Sequence, residues 1–295
     1  MTLEQLRIFI AVAEREHVTN AARDLNLTQS ATSAAIAALE ARYATKLFDR
    51  VGRRIVLTDA GRLFLPEAKA VLARASAAEE VLADLADMAR GSLKIAASQT
   101  VANYWLPPLL QQYRSRFPGI RLQVEIGNTE GVQQSVCDHS ADLGFVEGEI
   151  EDGSLVITPV ADDELVLVVP RNHAWARKAP KSPDEFRASP WVLREPGSGT
   201  RSILEAELKR MGVTSEELEI VLELPSNEAV RAAVEAGAGA TLISRIVVEG
   251  SLKAGRLALV DAAMPRRRFL ALSHRERHPT RALTAFMNLV RNQDA

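Results

Sequence analysis

The 295-residue chain contains one cysteine, Cys137, five scattered histidines and no uncharged apolar run of bilayer-spanning length. A single cysteine excludes an intrachain disulfide framework and fits a reducing cytosol. The cysteine and the histidines do not show the spacing of zinc ligands. We therefore predict a cytoplasmic protein without a metal, a cofactor or a membrane partner.

The composition is that of an ordinary globular protein, with 47% hydrophobic residues, 25% charged residues and a net charge of -2. A single core is close to its size limit at this length, so two or three domains are expected. The N-terminus has apolar residues at helical spacing with charged residues between them. This pattern predicts an amphipathic helix rather than an export signal.

A helix-turn-helix pattern begins at Val18. Thr19 is a candidate N-cap for a short helix that ends at Leu25. After a break at residues 26–28, Thr28 can cap a second helix from Gln29 to Tyr43. One stripe of this second helix is predicted to pack inward, and it consists of Thr32, Ile36, Leu39 and Tyr43.

The opposite face of the second helix carries small hydroxyl, amide and methyl side chains. Such a face can lie close to base edges and phosphates in a DNA major groove. An amide such as that of Gln29 can form paired hydrogen bonds with adenine. The candidate DNA-binding residues here are Thr28, Gln29, Ser30, Ser33 and Ala34.

A basic hairpin follows, because residues 46–57 predict two short strands around a turn at Gly52. Residues 42–54 contain five basic residues and one acidic residue, a local charge of +4 in a chain of net charge -2. Positive charge concentrated in this way attracts the DNA backbone. The candidate phosphate contacts are Arg50, Arg53 and Arg54.

Helix-turn-helix spacing also occurs in helical hairpins that only pack, so this unit alone leaves DNA binding and a structural role both open. The ordered set of motifs is more specific. It comprises Ala21-Ala22-Arg23-Asp24-Leu25, Leu27-Thr28-Gln29-Ser30-Ala31, Leu39-Glu40, Leu47-Phe48-Asp49-Arg50 and Leu57-Thr58-Asp59-Ala60-Gly61. Together these motifs resemble the N-terminal winged helix-turn-helix of the LysR-type transcriptional regulators.

The resemblance implies a DNA-binding transcriptional regulator of this family. Its expected partners are double-stranded DNA, RNA polymerase, further copies of the chain and a small effector. The sequence departs from the family pattern at a few positions. Ala34 and Ala35 stand where basic or amide residues are frequent, Thr32 replaces an aliphatic residue, and Ala44 replaces a usual glycine.

Residues 58–90 predict a linker helix, with Pro66 interrupting its opening turns. Its apolar residues alternate by four and three positions, the spacing of a narrow helix–helix interface. They are Phe64, Ala68, Val71, Ala75, Ala78, Leu82, Leu85 and Ala89. The helix can pack on its own domain, but the LysR resemblance implies that it pairs two subunits, as a homodimer or within a homotetramer.

From Leu93 the pattern changes to alternating strands and helices, which predicts an α/β fold with a largely parallel sheet. The expected strands are residues 93–97, 122–126, 142–146, 165–169, 191–193, 220–224, 240–243 and 268–273. The resemblance implies a periplasmic-binding-protein-like effector domain of two lobes. The predicted domains are 1–57 (winged helix-turn-helix), 58–90 (linker helix) and 91–295 (effector domain), with lobe one at about 91–161 and 266–295 and lobe two at about 162–265.

Three turns after predicted strands carry polar residues where open α/β sheets bind ligands. They are residues 98–100, the glycine-containing loop 194–201 and residues 226–228. Helix N-termini with arginine nearby favour a small anion such as a sulfur oxyanion or a short carboxylate, although the same hydroxyls can simply cap helices. The candidate effector-binding residues are Ser98, Gln99, Thr100, Gly197, Ser198, Gly199, Thr200, Arg201 and Asn227.

Two competing functions fit a two-lobed α/β fold: an enzyme and a solute-binding module. The cleft turns contain no convincing nucleophile or acid–base pair, and no export signal is evident.

Two further features carry less weight. Cys137 is expected to be a small buried apolar residue, and the run Arg266-Arg267-Arg268 a solvated or ion-paired edge.

Overall fold

A computed structural model describes residues 1–51, 54–85 and 91–292. The chain divides into an N-terminal unit up to residue 88 and a C-terminal unit that takes almost all of the remainder. Within the described ranges, no helix has both the length and the apolar character needed to cross a membrane.

The N-terminal unit is a three-helix head followed by a hairpin and a long helix. Its elements are α1 (Leu3–Arg15), α2 (Val18–Asp24), α3 (Gln29–Tyr43), β1 (Phe48–Val51), β2 (Arg54–Leu57) and α4 (Asp59–Leu85). Its core is formed where α1, α3 and the hairpin meet, around Leu6, Phe9, Leu39 and Phe48. The predicted wing strands are confirmed, while their turn at Gly52 and Arg53 lies outside the described residues.

The helix ends follow local capping chemistry. Thr28 caps α3 as predicted, because its hydroxyl accepts from the backbone N–H of Ala31 at 3.2 Å. The predicted cap at Thr19 is wrong: α2 begins at Val18, and its N-cap is His17, whose side chain makes no capping bond. After α3, Ala44 has φ 49°, the left-handed region in which glycine costs least, which explains why glycine is usual there.

The inward stripe of α3 holds for three of its four residues. Thr32, Ile36 and Leu39 are buried, but Tyr43 is 54% exposed. Tyr43 is the last residue of the helix and borders an open hollow beside Met1 and Phe64. Helical spacing alone does not bury a residue beyond the end of the surface that its helix packs against.

Helix α4 runs through Pro66 rather than being interrupted by it. Only the start of its apolar seam packs on the N-terminal core. Ala68 is 1% exposed, whereas Val71 is 42% and Leu82 is 67% exposed. The side chains of Leu85 and Ala89 lie outside the described residues. Within the described N-terminal unit, Val71 and Leu82 are therefore left largely uncovered.

The C-terminal unit alternates strands and helices. In chain order they are β3 (Gly91–Ser98), α5 (Leu106–Arg116), β4 (Ile120–Gly127), α6 (Thr129–Cys137), β5 (Leu143–Glu147), β6 (Leu155–Pro170), α7 (Pro183–Arg187), β7 (Pro190–Arg194), α8 (Gly199–Arg210), β8 (Glu219–Leu224), α9 (Asn227–Glu235), β9 (Thr241–Ser244), α10 (Arg245–Lys253), β10 (Leu257–Leu259), β11 (Arg266–His274) and α11 (Arg281–Arg291). A π-helical turn, Val101–Trp105, precedes α5.

The main sheet has the order β10-β6-β11-β5-β3-β4, with β9 also paired to β6. The prediction of parallel strands holds for β3 with β4 and β5, and for β7 with β8. It is wrong for β6, β9, β10 and β11, whose pairings are antiparallel. The difference arises because β6 is a single 16-residue strand that β11 follows in the opposite direction.

Four buried apolar clusters, two in each lobe, divide the C-terminal unit into two lobes. Lobe one is built around Leu93, Phe145 and Phe286, and lobe two around Leu167 and Trp191. Strand β6 pairs with β11 over residues 155–164 and with β9 and β10 over residues 165–170. One continuous strand therefore serves both lobes, and polar side chains at their boundary are brought together.

Candidate functional site

The outer face of α3 is open and small. Gln29, Ser30 and Ala34 are exposed, and Ser33 is half-buried. Thr28 is committed to capping the helix, and its hydroxyl lies 3.1 Å from that of Ser30. The start of α3 is therefore rigid and presents donors and acceptors without bulk, as close approach to base edges requires.

The hairpin is anchored to α3 by a carboxylate. Glu40 accepts hydrogen bonds from the backbone N–H groups of Leu47, at 2.8 Å, and Phe48, at 3.2 Å, and pairs with Lys46 at 2.8 Å. Burial alone would raise the pKa of Glu40, but these hydrogen bonds and the Lys46 charge lower it overall. The charge of Lys46 is thus offset by Glu40, which lies outside the basic stretch of residues 42–54.

The remaining wing charges face solvent. Arg50 and Arg54 are exposed on adjacent strands, and Arg53 lies outside the described residues. Glu40 of α3 thus anchors the base of the hairpin that carries these two arginines.

A buried polar cluster lies between the lobes of the C-terminal unit. Every member has at most 8% of its surface exposed. We call it the interlobe cluster, and it consists of Ser98, Thr100, Glu147, Asp163, Thr200, Asn227, Ser244 and Arg267. Four of these, Ser98, Thr100, Thr200 and Asn227, are residues that the sequence proposed for effector binding.

On the lobe-one side, hydroxyls converge on one carboxylate. The Ser98 hydroxyl donates to Glu147 Oε2, and the Thr100 hydroxyl donates to Oε1 at 3.1 Å. Ser98 ends β3 and Glu147 ends β5, and these strands are parallel neighbours. Their ends therefore meet at one sheet edge, the place where α/β folds bind ligands.

The lobe-two side is joined to lobe one by direct hydrogen bonds. The side-chain amide of Asn227 donates to the Thr100 hydroxyl at 3.0 Å, and its oxygen accepts from Arg194 Nη1 at 2.6 Å. Gln99 is half-buried and spans the same gap, donating to the Pro225 carbonyl at 2.5 Å and accepting from the Asn227 backbone N–H at 3.0 Å. Thr100 and Gln99 are thus hydrogen-bonded directly to the first residue of α9.

Arg267 is the cation of the cluster. Its Nε donates to Asp163 Oδ2 at 2.6 Å, and its Nη1 donates to the Thr200 hydroxyl at 2.9 Å and lies 3.8 Å from Glu147 Oε1. Asp163 also accepts from the Ser244 hydroxyl at 2.5 Å. Among the residues that the structure describes, none forms a hydrogen bond with the buried Arg267 Nη2.

The expectation of a solvated or ion-paired edge is confirmed for the exposure of Arg266 and Arg268, whereas Arg267 is ion-paired but buried. Strand β11 alternates its side chains, so Arg266 and Arg268 are exposed while Arg267 points inward and is 5% exposed.

The glycine loop lets the lobes approach closely. The backbone N–H of Gly199 donates to the Thr129 hydroxyl at 3.2 Å, and that hydroxyl donates to the Glu147 carbonyl at 2.9 Å. A Cβ at Gly199 would overlap the same carbonyl oxygen. Gly197 has φ 82°, which also favours glycine, and the buried Ser198 begins α8 without a side-chain capping bond.

The structure does not bring Arg201 into the cluster. Its guanidinium pairs with Glu205 at 2.8 Å and with Glu223, and it donates to the Arg194 carbonyl at 2.9 Å. Burial alone would lower the pKa of Arg201, but the hydrogen bonds to the two carboxylates raise it overall. Its charge is therefore offset beside the loop.

Sequence reasoning missed Glu147, Asp163, Ser244 and Arg267. A signal was present for Glu147, which directly follows the predicted strand 142–146 and so stands at a strand end like Ser98. Alternation along β11 likewise pointed to one inward arginine among three. Asp163 left no comparable signal, because the first half of β6 was not predicted.

Comparison with protein families covers both units. Residues 3–62 match the bacterial regulatory helix-turn-helix protein, lysR family, and residues 86–295 match the LysR substrate binding domain. The chain belongs to the LysR family of transcriptional regulators. It is 37% identical over 290 residues to the uncharacterized HTH-type transcriptional regulator YeiE of Escherichia coli K12, covering 98% of this chain and 96% of that protein.

Solved structures share the fold. Full-length CbnR, solved in complex with its target DNA, has a TM-score of 0.69 at 22% identity and covers 99% of each chain. The regulatory domain of CcmR from Synechocystis PCC6803, solved in complex with 2-PG, has a TM-score of 0.63 at 25% identity and covers 69% of this chain and 97% of that chain.

As a LysR-type regulator, the protein binds DNA through its helix-turn-helix head and carries an effector-binding domain. Members of the family are transcriptional regulators and not enzymes. The two competing functions, an enzyme and a solute-binding module, are therefore set aside.

We expect the double change Arg50→Ala with Arg54→Ala to weaken binding to every duplex and to flatten its dependence on salt. Each lost phosphate contact should reduce the slope of log affinity against log salt by roughly one. Gln29→Ala should instead reduce discrimination between operator and non-operator DNA, since its amide can read a base edge.

Fluorescence anisotropy titrations at several salt concentrations measure both effects. The matched control is Arg210→Ala with Arg256→Ala, which removes two exposed arginines from the C-terminal unit. An unaltered salt slope in the wing variant would remove Arg50 and Arg54 from the DNA-binding surface.

Proposed function

We propose that this LysR-type regulator is controlled by a small anion, a sulfate- or sulfite-like oxyanion or a short carboxylate, bound in the interlobe cluster. The observation that carries the proposal is the unpaired Nη2 of Arg267 in a buried site. A buried guanidinium N–H without an acceptor is costly, and an anionic oxygen is its strongest partner. Arg267 thus takes the role that the sequence suggested for Arg201.

The hydroxyls around Arg267 support the same ligand class. Ser98, Thr100 and Thr200 are buried and lie within one network of hydrogen bonds. Hydroxyl and guanidinium donors together form charge-assisted hydrogen bonds with anionic oxygens. The contact between Gly199 and the end of β5 leaves little room between the lobes, which favours a small ligand over a nucleotide.

The proposed site also suits regulation, because its members belong to both lobes. A ligand that binds one arrangement of the lobes more tightly than another shifts the balance between them. We infer that this shift alters the spacing of paired DNA-binding heads in a homodimer or homotetramer, and so the contact of the complex with RNA polymerase. The 2-PG complex of the CcmR regulatory domain supports a small-molecule effector in a similar domain.

The test is calorimetry on the full chain with sulfate, sulfite, phosphate and short carboxylates. We expect Thr100→Val to weaken anion binding by roughly ten- to hundredfold, the effect of losing one charge-assisted hydrogen bond. Thr100→Ser should restore binding, because it keeps the hydroxyl. The control Arg201→Ala should bind like the parent, since Arg201 pairs with Glu205 and Glu223 outside the cluster. The proposal would be refuted if the parent bound none of these anions, or if Thr100→Val bound them as tightly as the parent.

A further inference from the structure

The centre of the interlobe cluster is occupied by a carboxylate of the chain itself. Glu147 is 2% exposed and accepts hydrogen bonds from the hydroxyls of Ser98 and Thr100. Those hydroxyls are the donors that the proposed function assigns to an anionic effector. An effector oxygen bound to them must therefore lie against Glu147 or displace it.

The innermost charges are unfavourable for a ligand that only accepts hydrogen bonds. Glu147 and Asp163 carry two negative charges, and Arg267, within 3.8 Å of both carboxylates, carries one positive charge. The net charge of these three groups is -1. A ligand with only anionic oxygens would meet an uncompensated buried carboxylate at short range, where repulsion is strong.

Neighbouring polar groups do not relieve this repulsion, since they are already engaged. Asn227 donates to Thr100 and accepts from Arg194, and the Gly199 N–H donates to Thr129. Each carboxylate oxygen, however, has two lone pairs and can accept a second hydrogen bond. Glu147 therefore offers acceptor capacity that only a ligand bearing a donor can use.

We propose that Glu147 is a specificity-determining residue that selects anions carrying an O–H donor, namely protonated oxyanions or hydroxy acids, over fully deprotonated oxyanions and simple carboxylates. The inference rests on the anion site proposed above. The anionic oxygens would face Arg267 Nη2 and the cluster hydroxyls, and the ligand O–H would donate to Glu147. A site that pairs donor with acceptor in this way rejects an analogue that lacks the donor.

Two isosteric pairs of probes test the inference by calorimetry on the full chain at neutral pH: phosphate against sulfate, and glycolate against propionate. We expect the parent to prefer phosphate and glycolate by roughly ten- to hundredfold, because the partner ligand leaves a charged acceptor unsatisfied. In Glu147→Gln the side-chain amide can donate, so the preference should fall to about parity or reverse.

The matched control is Asp162→Asn, which makes the same change of charge at an exposed residue of β6 and should leave both preferences intact. Ser98→Ala provides a second test that keeps the Glu147 carboxylate. Ser98→Ala should weaken the binding of all four probes yet retain the preference for probes with an O–H donor. If this variant loses the preference, selectivity belongs to the Ser98 hydroxyl and the inference is overturned.

The outcomes separate the two proposals. If the parent binds all four probes but shows no preference, or if Glu147→Gln keeps the parental preference, the role of Glu147 is overturned and the anion site stands. If the parent binds none of the four, the anion site itself is wrong and the selectivity falls with it.

Discussion

Arg267→Ala should lower the free energy of unfolding of the C-terminal unit by roughly 3–5 kcal/mol, the cost of removing one partner from a buried ion pair. The change leaves the carboxylates of Glu147 and Asp163 buried without their shared cation. Calorimetry should also show complete loss of anion binding, because the unpaired Nη2 is removed with the rest of the side chain.

Urea denaturation followed by tryptophan fluorescence measures this effect in the full chain. The three tryptophans, Trp105, Trp175 and Trp191, all belong to the C-terminal unit, so their signal reports on that unit. The control is Arg268→Ala, which removes an exposed arginine from the same strand. A loss of stability no larger than that of the control would show that Arg267 does not hold the two carboxylates.

A double-mutant comparison identifies the physical cause of the stability that Arg267→Ala loses. If the penalty comes from uncompensated charge, adding Glu147→Gln to Arg267→Ala should recover part of the lost stability. Glu147→Gln alone should not stabilise the parent to the same extent, since there it breaks the contact with Arg267. If the changes in free energy of unfolding of the two single variants simply add in the double variant, Glu147 and Arg267 do not interact.

Sequence patterns predicted the elements whose cause is local. Thr28 and the run that follows it define both the cap and the extent of α3, and the apolar runs of β3 and β5 mark parallel buried strands. The polar turns after β3, β7 and β8 were located because strand ends in α/β sheets meet at one edge. Ser98, Thr100, Thr200 and Asn227 were accordingly named as candidates, and the structure places all four in the interlobe cluster.

Features that depend on partners distant in the chain were not predicted. Strand β6 extends to Leu155 because β11 pairs with it, a contact between residues more than 100 positions apart. The same pairing buries Arg267 beside Asp163, so a run of three arginines that resembles a surface edge supplies the cation of the cluster. Helix α10, with Gly250 inside it, was also missed because its length and composition give a weak helical signal.

The last prediction concerns assembly through α4. The seam residues Val71 and Leu82 are 42% and 67% exposed, and large apolar side chains at such spacing pair well with a second helix. We propose that this seam is the subunit interface of the LysR-type oligomer. Val71→Glu with Leu82→Glu should then convert the protein to monomers by placing charges within the interface.

Loss of pairing should lower affinity for an operator with two half-sites by roughly 10²–10⁴-fold, because each head then binds without the effective concentration supplied by the other. Sedimentation measures the assembly, and anisotropy with a duplex selected by the parent from a random library measures the affinity. The matched control, Ser76→Glu with Ala77→Glu, adds the same charge on the same helix at positions off the seam. Should the seam variant keep the parental oligomer and affinity while remaining folded, α4 would not be the interface, and the exposed apolar residues would require another partner.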